Sequence, residues 1–282
     1  MEETGRGDAV TTVVATRDRA AELRRTLPRH RAPVIVVDNA SSDDTAGVAR
    51  AAGARLIRLP GNLGAAARNV GVEAAATPYV AFADDDSWWE PGALDRAAAI
   101  LDAHPRAAVL AARVLVGPAN RLDPVSAGMA RAPLGRPDDL PGPAILGFLA
   151  CGVVVRRSAF LDVGGFSAAL HFGGEEELLA LDLAAAGWGL AYVPELLVHH
   201  HPSGLGRAAA ARRRRMARNR LLTAWLRRPL PVLARTALAS LASRDARGGA
   251  VDALLSLPAL ALARRPLPAE VEAARRRLDG AG

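Results

Sequence analysis

Short β-branched runs alternate with helix-like stretches from Val10 to Ala83, and this alternation limits the chain to a small set of folds. Val10-Thr11-Thr12-Val13-Val14-Ala15, Val34-Ile35-Val36-Val37, Arg55 to Leu59 and Pro78-Tyr79-Val80-Ala81-Phe82-Ala83 read as strands. Between them, Asp18 to Leu27, the stretch from Asp43 to Gly53, and Ala65 to Ala76 read as helices, the first stopped by Pro28. Strands separated by helices of this length form βαβ units and a largely parallel sheet. Ligands of such sheets sit at the carboxyl ends of the strands. The polar clusters Thr16-Arg17, Asp38-Asn39 and Asp84-Asp85-Asp86 each follow a strand directly, so all three are expected on one edge.

Further along, Gly117 to Pro143 is rich in proline and glycine and reads as a long loop or a boundary. Ala144 to Arg156 resumes as strand, and Glu175 to Ala186 reads as a helix ended by Gly187. Ala191-Tyr192-Val193 and Leu196-Leu197-Val198 are two short strands before His199-His200-His201. Beyond Gly204 the pattern is helical to the end, broken by Pro229, Pro231, Pro258, Pro266 and Pro268.

Composition narrows the class. Of 282 residues, 50% are hydrophobic and 23% charged, which excludes wholesale disorder. One cysteine, Cys151, excludes an intramolecular disulfide and a cysteine-based zinc cluster. The opening Met1-Glu2-Glu3-Thr4 carries no basic-then-apolar profile, so no cleaved secretory signal is expected. The longest apolar run, Ala144 to Val155, contains two glycines and is too short to span a bilayer. The expectation is a cytoplasmic protein. All 36 basic residues are arginine, and they are unevenly placed: 17 face 5 acidic residues from Gly204 onward, against 19 and 24 before it. That split suggests a body with one task and a basic tail with another; a helical tail with a solvated arginine face is the other reading.

The strongest chemical signal is the aspartate triplet. Three carboxylates in a row after an apolar strand repel one another and resist burial. A divalent cation resolves the conflict, and Asp84 and Asp86, two apart on extended backbone, point the same way. Hard oxygen ligands suit magnesium or manganese, which commonly bridge phosphate oxygens. Asp38 can accept hydrogen bonds from a base or ribose, with Asn39, Ser41 and Ser42 as further short polar groups, although Asp43 to Thr45 also serve as helix caps. In Gly61-Asn62-Leu63-Gly64-Ala65-Ala66-Ala67-Arg68-Asn69, Gly64 and the alanines let backbone approach a ligand, and Arg68 can meet a phosphate.

These three clusters, in this order, resemble the family 2 glycosyltransferases, which have the GT-A fold. The resemblance continues through Gly152-Val153-Val154-Val155-Arg156-Arg157-Ser158-Ala159-Phe160 and Val163-Gly164-Gly165-Phe166 to Gly173-Gly174-Glu175-Glu176-Glu177-Leu178, with Gly187-Trp188 after it. It covers about Val10 to Ser203. It implies an α/β GT-A domain at 1–205, with a Rossmann-like, mixed but mostly parallel sheet flanked by helices. A nucleotide-binding half would occupy about 1–117 and an acceptor half about 118–205, with a basic helical C-terminal extension at 206–282.

The resemblance further implies that Thr16, Arg17, Asp38 and Asn39 line the base and ribose pocket, and that Asn62, Gly64, Arg68 and Asn69 flank a nucleotide-sugar donor. Asp84 and Asp86 would hold the metal on the diphosphate, with Asp85 between them at the donor. Glu175-Glu176 stands where many members have Glu-Asp, whose second residue is the base. That makes Glu176 the expected base, with Glu175 and Glu177 as rivals. Asp182 occupies the place of a frequent arginine, so the local charge pairing must differ. A histidine completes the metal shell in related transferases, and His200 is the expected one, with His199 and His201 as alternatives.

The implied reaction is metal-dependent inverting transfer from a nucleotide-diphosphate sugar to a hydroxyl of a glycan or lipid-linked acceptor. A nucleotidyltransferase would share the fold type, but such enzymes usually carry a glycine-rich basic loop near the start, and Thr16-Arg17-Asp18-Arg19 has none. A non-catalytic nucleotide-sugar or polyanion binder needs no base, and the Glu175-Glu176 pair argues against it. In the tail, Arg212-Arg213-Arg214-Arg215, Arg218-Asn219-Arg220 and the stretch around Trp225 suit an anionic membrane surface, which gives a peripheral place on the inner face of the cell membrane; packing on the body is the other reading. No nucleic-acid partner is expected, since no such motif is found and aromatics are only 4%.

Overall fold

The computed structural model describes residues 9–202 and 209–280. The N-terminal Met1–Asp8 stretch and the expected boundary at 205/206 lie outside the described residues. The expected alternation is present as β1 (Val10–Thr16), α1 (Ala20–Thr26), β2 (Val34–Asp38), α2 (Thr45–Ala51), β3 (Arg55–Arg58), α3 (Ala67–Ala74) and β4 (Tyr79–Ala83). Then come β5 (Ser87–Trp89), α4 (Ala93–Ala103), β6 (Ala107–Val116), β7 (Arg121–Leu122), α5 (Pro124–Ala130), β8 (Val153–Arg156), α6 (Arg157–Asp162), α7 (Glu175–Ala185) and β9 (Gly189–His200). The C-terminal part is α8 (Ala209–Arg227), α9 (Leu230–Ala239), α10 (Arg244–Leu260) and α11 (Ala269–Asp279).

The strands form one mixed sheet in the order β3-β2-β1-β4-β8-β6-β9-β5, with β7 paired to β6. The β3-β2-β1-β4 block and the β6-β9 pair are parallel, while β8, β5 and β7 pair antiparallel. From β4 to β5 in this order, strands from before and after residue 117 alternate, so residues of the two expected halves share a single sheet. Central strands are buried on both faces, which is why they read as unbroken apolar runs. On one face Phe82, Phe160 and Phe166 pack with ring centroids 5.5–5.6 Å apart, beside α3 and α7 residues. On the other, Leu94, Ala97 and Leu101 of α4 cover Leu110 and Val154.

Four sequence expectations are corrected. The Gly117–Pro143 segment holds β7 and α5; Asp123 accepts a hydrogen bond from the Val125 N–H at 2.7 Å and Pro124 opens the helix, so cap and proline together start it. The Ala144–Arg156 run is strand only from Val153, preceded by an irregular segment and a 3-10 turn at Ala150–Gly152; its apolar character comes from burial, not extension. The two short strands before the histidines are one strand, β9, whose register against β6 jumps from Val193↔Ala112 to Leu197↔Arg113. The extra residues Pro194-Glu195-Leu196 bulge there, since proline cannot donate to the ladder. Finally, Arg244–Ala263 is a 20-residue helical stretch long and apolar enough to cross a membrane by length and composition. It escapes a search for unbroken apolar runs because charged residues punctuate it without lowering its average much.

The C-terminal helices dock on the body. Leu221, Leu222 and Leu226 of α8 bury against Leu170, Leu178 of α7 and Ala253 of α10. Arg227 forms a bidentate pair with Asp182, Arg275 of α11 meets Glu177 at 2.8 Å, and buried Arg228 meets buried Glu272 at 2.7 Å.

Candidate active site

Sheet register brings the polar clusters together. Thr16 and Asp38 are direct partners at the ends of β1 and β2. Asp38 is fully buried; one carboxylate oxygen accepts from the Ser41 N–H at 2.8 Å. Its other oxygen, Oδ2, has no hydrogen-bond partner, with the Arg58 Nε 3.4 Å away. Ser41 and Arg58, together with Ala40, Leu59 and Pro60, line a cleft of about 420 Å3 beside it. An orphaned buried carboxylate oxygen wants a donor, which a ligand N–H or O–H would supply. Asn39 instead serves the scaffold: it donates to Gly64 O at 3.1 Å and accepts from the Leu63 N–H at 2.8 Å. Asn62 is exposed and caps the same loop by accepting from the Gly64 N–H. Arg17 stands at the rim, paired with Asp18 at 3.5 Å.

Gly64 is one position where only glycine serves. Its φ is +62°, and an added Cβ would lie 2.1 Å from the His171 carbonyl oxygen. Next to it, the Ala65 N–H donates to that same oxygen at 2.6 Å. The 61–66 loop is thereby tied to the segment that precedes α7.

The aspartate triplet divides its work. Asp84 pairs with Arg68 at 2.5 Å. Asp86 lies 3.3 Å from His200 Nε2, and Asp84, Asp86 and His200 each offer a ligand atom within 4.8 Å of one another. Asp85 is not in that group. It accepts from the Thr16 hydroxyl at 2.8 Å and from Arg19 at 3.2 Å. Burial, then the charges of Asp84 and Asp86, push Asp85 up to about 6. Burial also works against the ionised form of Asp86, but the His200 hydrogen bond and charge, with Arg19, hold its carboxyl below the usual range.

Strand pairing selects the histidine. β5 runs antiparallel to β9 with Ser87 opposite His200, and the His201 N–H donates to Asp86 O at 2.8 Å. His200 therefore meets Asp86. His199 faces the other way, 2.6 Å from Glu90 and 3.1 Å from Asn120, and its ring stacks on Trp88; the His201 ring also packs on Trp88. Burial disfavours the charged His200, yet the Asp86 hydrogen bond and charge leave its pKa raised.

The three glutamates also separate. Glu177 is engaged by Arg275. Glu175, almost fully buried, accepts a hydrogen bond from the Gly173 N–H and so braces its own loop, where Gly173 and Gly174 have φ of +96° and +89°. Glu176 is held by neither contact. Burial, followed by the charge of Glu175, pushes it up to about 7; Glu175 is raised as well, again by burial first. Arg68 is the shared counter-ion: buried itself, it feels Asp84, Glu175 and Glu176, and its Nε lacks a protein acceptor. The Asn69 side chain donates to Phe166 O and accepts from the Phe166 N–H, both at 2.9 Å, and so holds the Phe166 loop.

Sequence reading missed Arg19, which lies between Asp85 and Asp86, and Asn219 of α8. Asn219 is 1% exposed, and its side-chain N–H2 group donates to the carbonyls of Leu170, Phe172 and Gly173 at 2.8, 3.2 and 2.7 Å. One polar residue beside the apolar Leu221-Leu222 run was the available signal.

Known proteins resemble this chain in sequence and in fold. The family model described as glycosyl transferase family 2 matches residues 11–164. A pre-mycofactocin glycosyltransferase of Mycobacterium tuberculosis is 35% identical over 205 residues, which is 68% of this chain and 42% of that protein. An N-acetylglucosaminyl-diphospho-decaprenol L-rhamnosyltransferase of the same species is 33% identical over 206 residues, 60% of this chain and 66% of that protein. The chain thus spans less than half of the first relative and about two thirds of the second. Among solved structures, mannosyltransferase PcManGT from Pyrobaculum calidifontis, in complex with GDP-Man and Mn2+, superposes with a TM-score of 0.57 at 20% identity, over 89% of this chain and 75% of its own. The fold is shared at that level.

Proposed function

The chain belongs to glycosyl transferase family 2, and from that premise we propose that it is a metal-dependent inverting glycosyltransferase. It would move a sugar from a nucleoside-diphosphate donor to a hydroxyl of a glycan or lipid-linked acceptor. The observation that carries this reading is the meeting of Asp84, Asp86 and His200 within 4.8 Å, next to the Arg68–Glu176 system. Two carboxylates and an imidazole are a fitting donor set for manganese, and hard enough for magnesium. Asp84, Asp86 and His200 would hold the ion, which when bound supplies positive charge against the diphosphate.

The chain's own residues do the rest. Asp38 Oδ2 accepts from the base or ribose in the cleft by Ser41 and Arg58. The free Nε–H of Arg68 donates to a phosphate oxygen, which adds fixed positive charge where the leaving group becomes more negative. Glu176, ionised, takes the proton from the acceptor hydroxyl as that oxygen attacks the anomeric carbon. Glu175 keeps Gly173 and Gly174 in place so that Glu176, in the first turn of α7, stands at a fixed position. A carbohydrate acceptor linked to lipid would be met at a membrane, in keeping with a cytoplasmic protein held peripherally there. Residues 1–205 would form the transferase domain and 206–282 its extension.

The test is a thermal-shift and calorimetric screen of nucleotide sugars with and without manganese. A ligand that binds only the native state raises the unfolding temperature, so one donor class should stand out when metal is present. In Asp86→Ala the metal-dependent part of donor binding should vanish. Equal donor affinity in both proteins would remove Asp86 from the metal shell.

A further inference from the structure

We propose that the exposed leucine faces of α9 and α10 lie flat in the interface of an anionic lipid bilayer. This deepens the reading of a lipid-linked acceptor by naming the surface that reaches the membrane, and it moves that surface away from the arginine run of α8. On α9 and the 3-10 turn after it, Leu230, Leu238 and Leu241 recur at helical spacing and are each more than half exposed. On α10, Val251, Leu254 and Leu255 do the same, and Leu262 just beyond is 99% exposed. The opposite side of α10 is already occupied: Gly249 and Ala253 are buried, and a Cβ on Gly249 would lie 2.4 Å from the Arg214 carbonyl oxygen. α10 thus has one apolar face packed on α8 and a second with no partner among the described residues, an arrangement that marks an interaction site on a water-exposed protein.

Charge identifies the partner. Between Pro229 and Pro266 the basic residues are Arg235, Arg244, Arg247, Arg264 and Arg265; Arg264 is turned onto the body, donating to the Trp225 and Arg228 carbonyls, and the other four are exposed. The acids in that stretch are Asp245 and Asp252, and both are held by α8, by Arg213 at 2.7 Å and Arg214 at 2.6 Å. No unpaired carboxylate remains there to repel an anionic headgroup, whereas long arginines beside leucines suit the headgroup level. The same ion pairs engage Arg213 and Arg214 of the Arg212–Arg215 run, so those two arginines clamp α10. They also decide the orientation. Although Arg244–Ala263 is long enough to cross, doing so would strip α10 from α8 and carry Asp252 into hydrocarbon, while lying flat keeps the Arg214–Asp252 pair and the α8 contact intact.

The experiment is co-sedimentation of the full chain with vesicles of phosphatidylglycerol and phosphatidylcholine in equal parts, and with phosphatidylcholine alone. The proposal expects binding to the first, weakened by salt, and release by an alkaline carbonate wash. The triple variant Leu238→Ser, Leu254→Ser, Leu255→Ser should partition on the order of tenfold or more weakly, because interfacial binding scales with buried apolar area. Its thermal midpoint should match the parent's. Unchanged partitioning of the triple variant, no binding by the parent, or resistance to the carbonate wash would each overturn it. So would a parent dimer, by light scattering, that the triple variant splits without any vesicle binding. The donor-induced thermal shift is read in the same samples: vesicle binding without that shift counts against the transferase reading alone.

Discussion

A carboxylate is a more effective general base when its pKa lies near the working pH, and the surroundings of Glu176 move it in that direction. Burial and the neighbouring Glu175 charge raise it to about 7, while Arg68 keeps the ionised form accessible. The sign follows directly. Below about 7 Glu176 holds a proton and cannot accept another, so transfer should rise with pH through that range and level above it. Glu176→Gln should abolish this dependence and lower turnover by roughly 10²–10⁴-fold with donor affinity retained. A pH–rate profile with parallel calorimetry checks both, and an unaltered profile in the variant would assign the base elsewhere. Within Glu175-Glu176-Glu177, sequence alone leaves three candidates because one helical turn displays them at different angles. What distinguishes them is contact: Arg275 for Glu177, the Gly173 N–H for Glu175.

At the scale of elements, the loop from Leu170 to Gly174 links three parts of the molecule. Its His171 carbonyl takes the Ala65 N–H of the 61–66 loop, its Gly173 N–H goes to Glu175, and three of its carbonyls take Asn219 of α8. Asn219 is therefore a positioning residue for the start of α7. Asn219→Ala leaves buried carbonyls without their donor, at about 1–3 kcal/mol for an unsatisfied group. The expected outcome is a thermal midpoint lowered by a few degrees and a fall in kcat with little change in donor KM. A parallel loss of donor affinity would show that Asn219 supports the whole site and not the base end of it. Strand pairing works in a similar way at the other end. The three-residue β5 fixes which of three adjacent histidines reaches Asp86, and nothing in its short Ser87-Trp88-Trp89 sequence announces a strand.

For the whole molecule, the C-terminal helices pack on the body through apolar clusters of their own and through ion pairs. Leu170 and Leu178 are covered by α8, and Asp182 and Glu177 find their arginines in α8 and α11. This answers the charge pairing that the sequence left open: the positive partner of Asp182 comes from Arg227, far along the chain. Removing everything after Pro202 would expose those leucines and leave two carboxylates without their partners. The truncated chain should lose its cooperative thermal transition and soluble yield, which circular dichroism and recovery after centrifugation would show. A truncated chain that melts as sharply as the parent would mean that the body folds without its extension. For the same reason, membrane contact is better tested by surface leucine variants than by deletion.

The sequence by itself determined the alternating core strands, the common edge at which Thr16, Asp38 and the aspartate triplet follow their strands, and the family whose motifs the chain resembles. These are local facts, carried by runs of β-branched residues and by short motifs at strand ends, and a chain reads them in order. Only the tertiary structure decided that His200 faces Asp86, that Asp85 bonds Thr16 and Arg19 while Asn69 bonds Phe166, that Asn219 holds the loop before Glu175, and that the leucines of α9 and α10 remain uncovered. Each of those depends on groups distant in sequence meeting in space. Residue type states what a side chain can do, and packing alone fixes which partner it has.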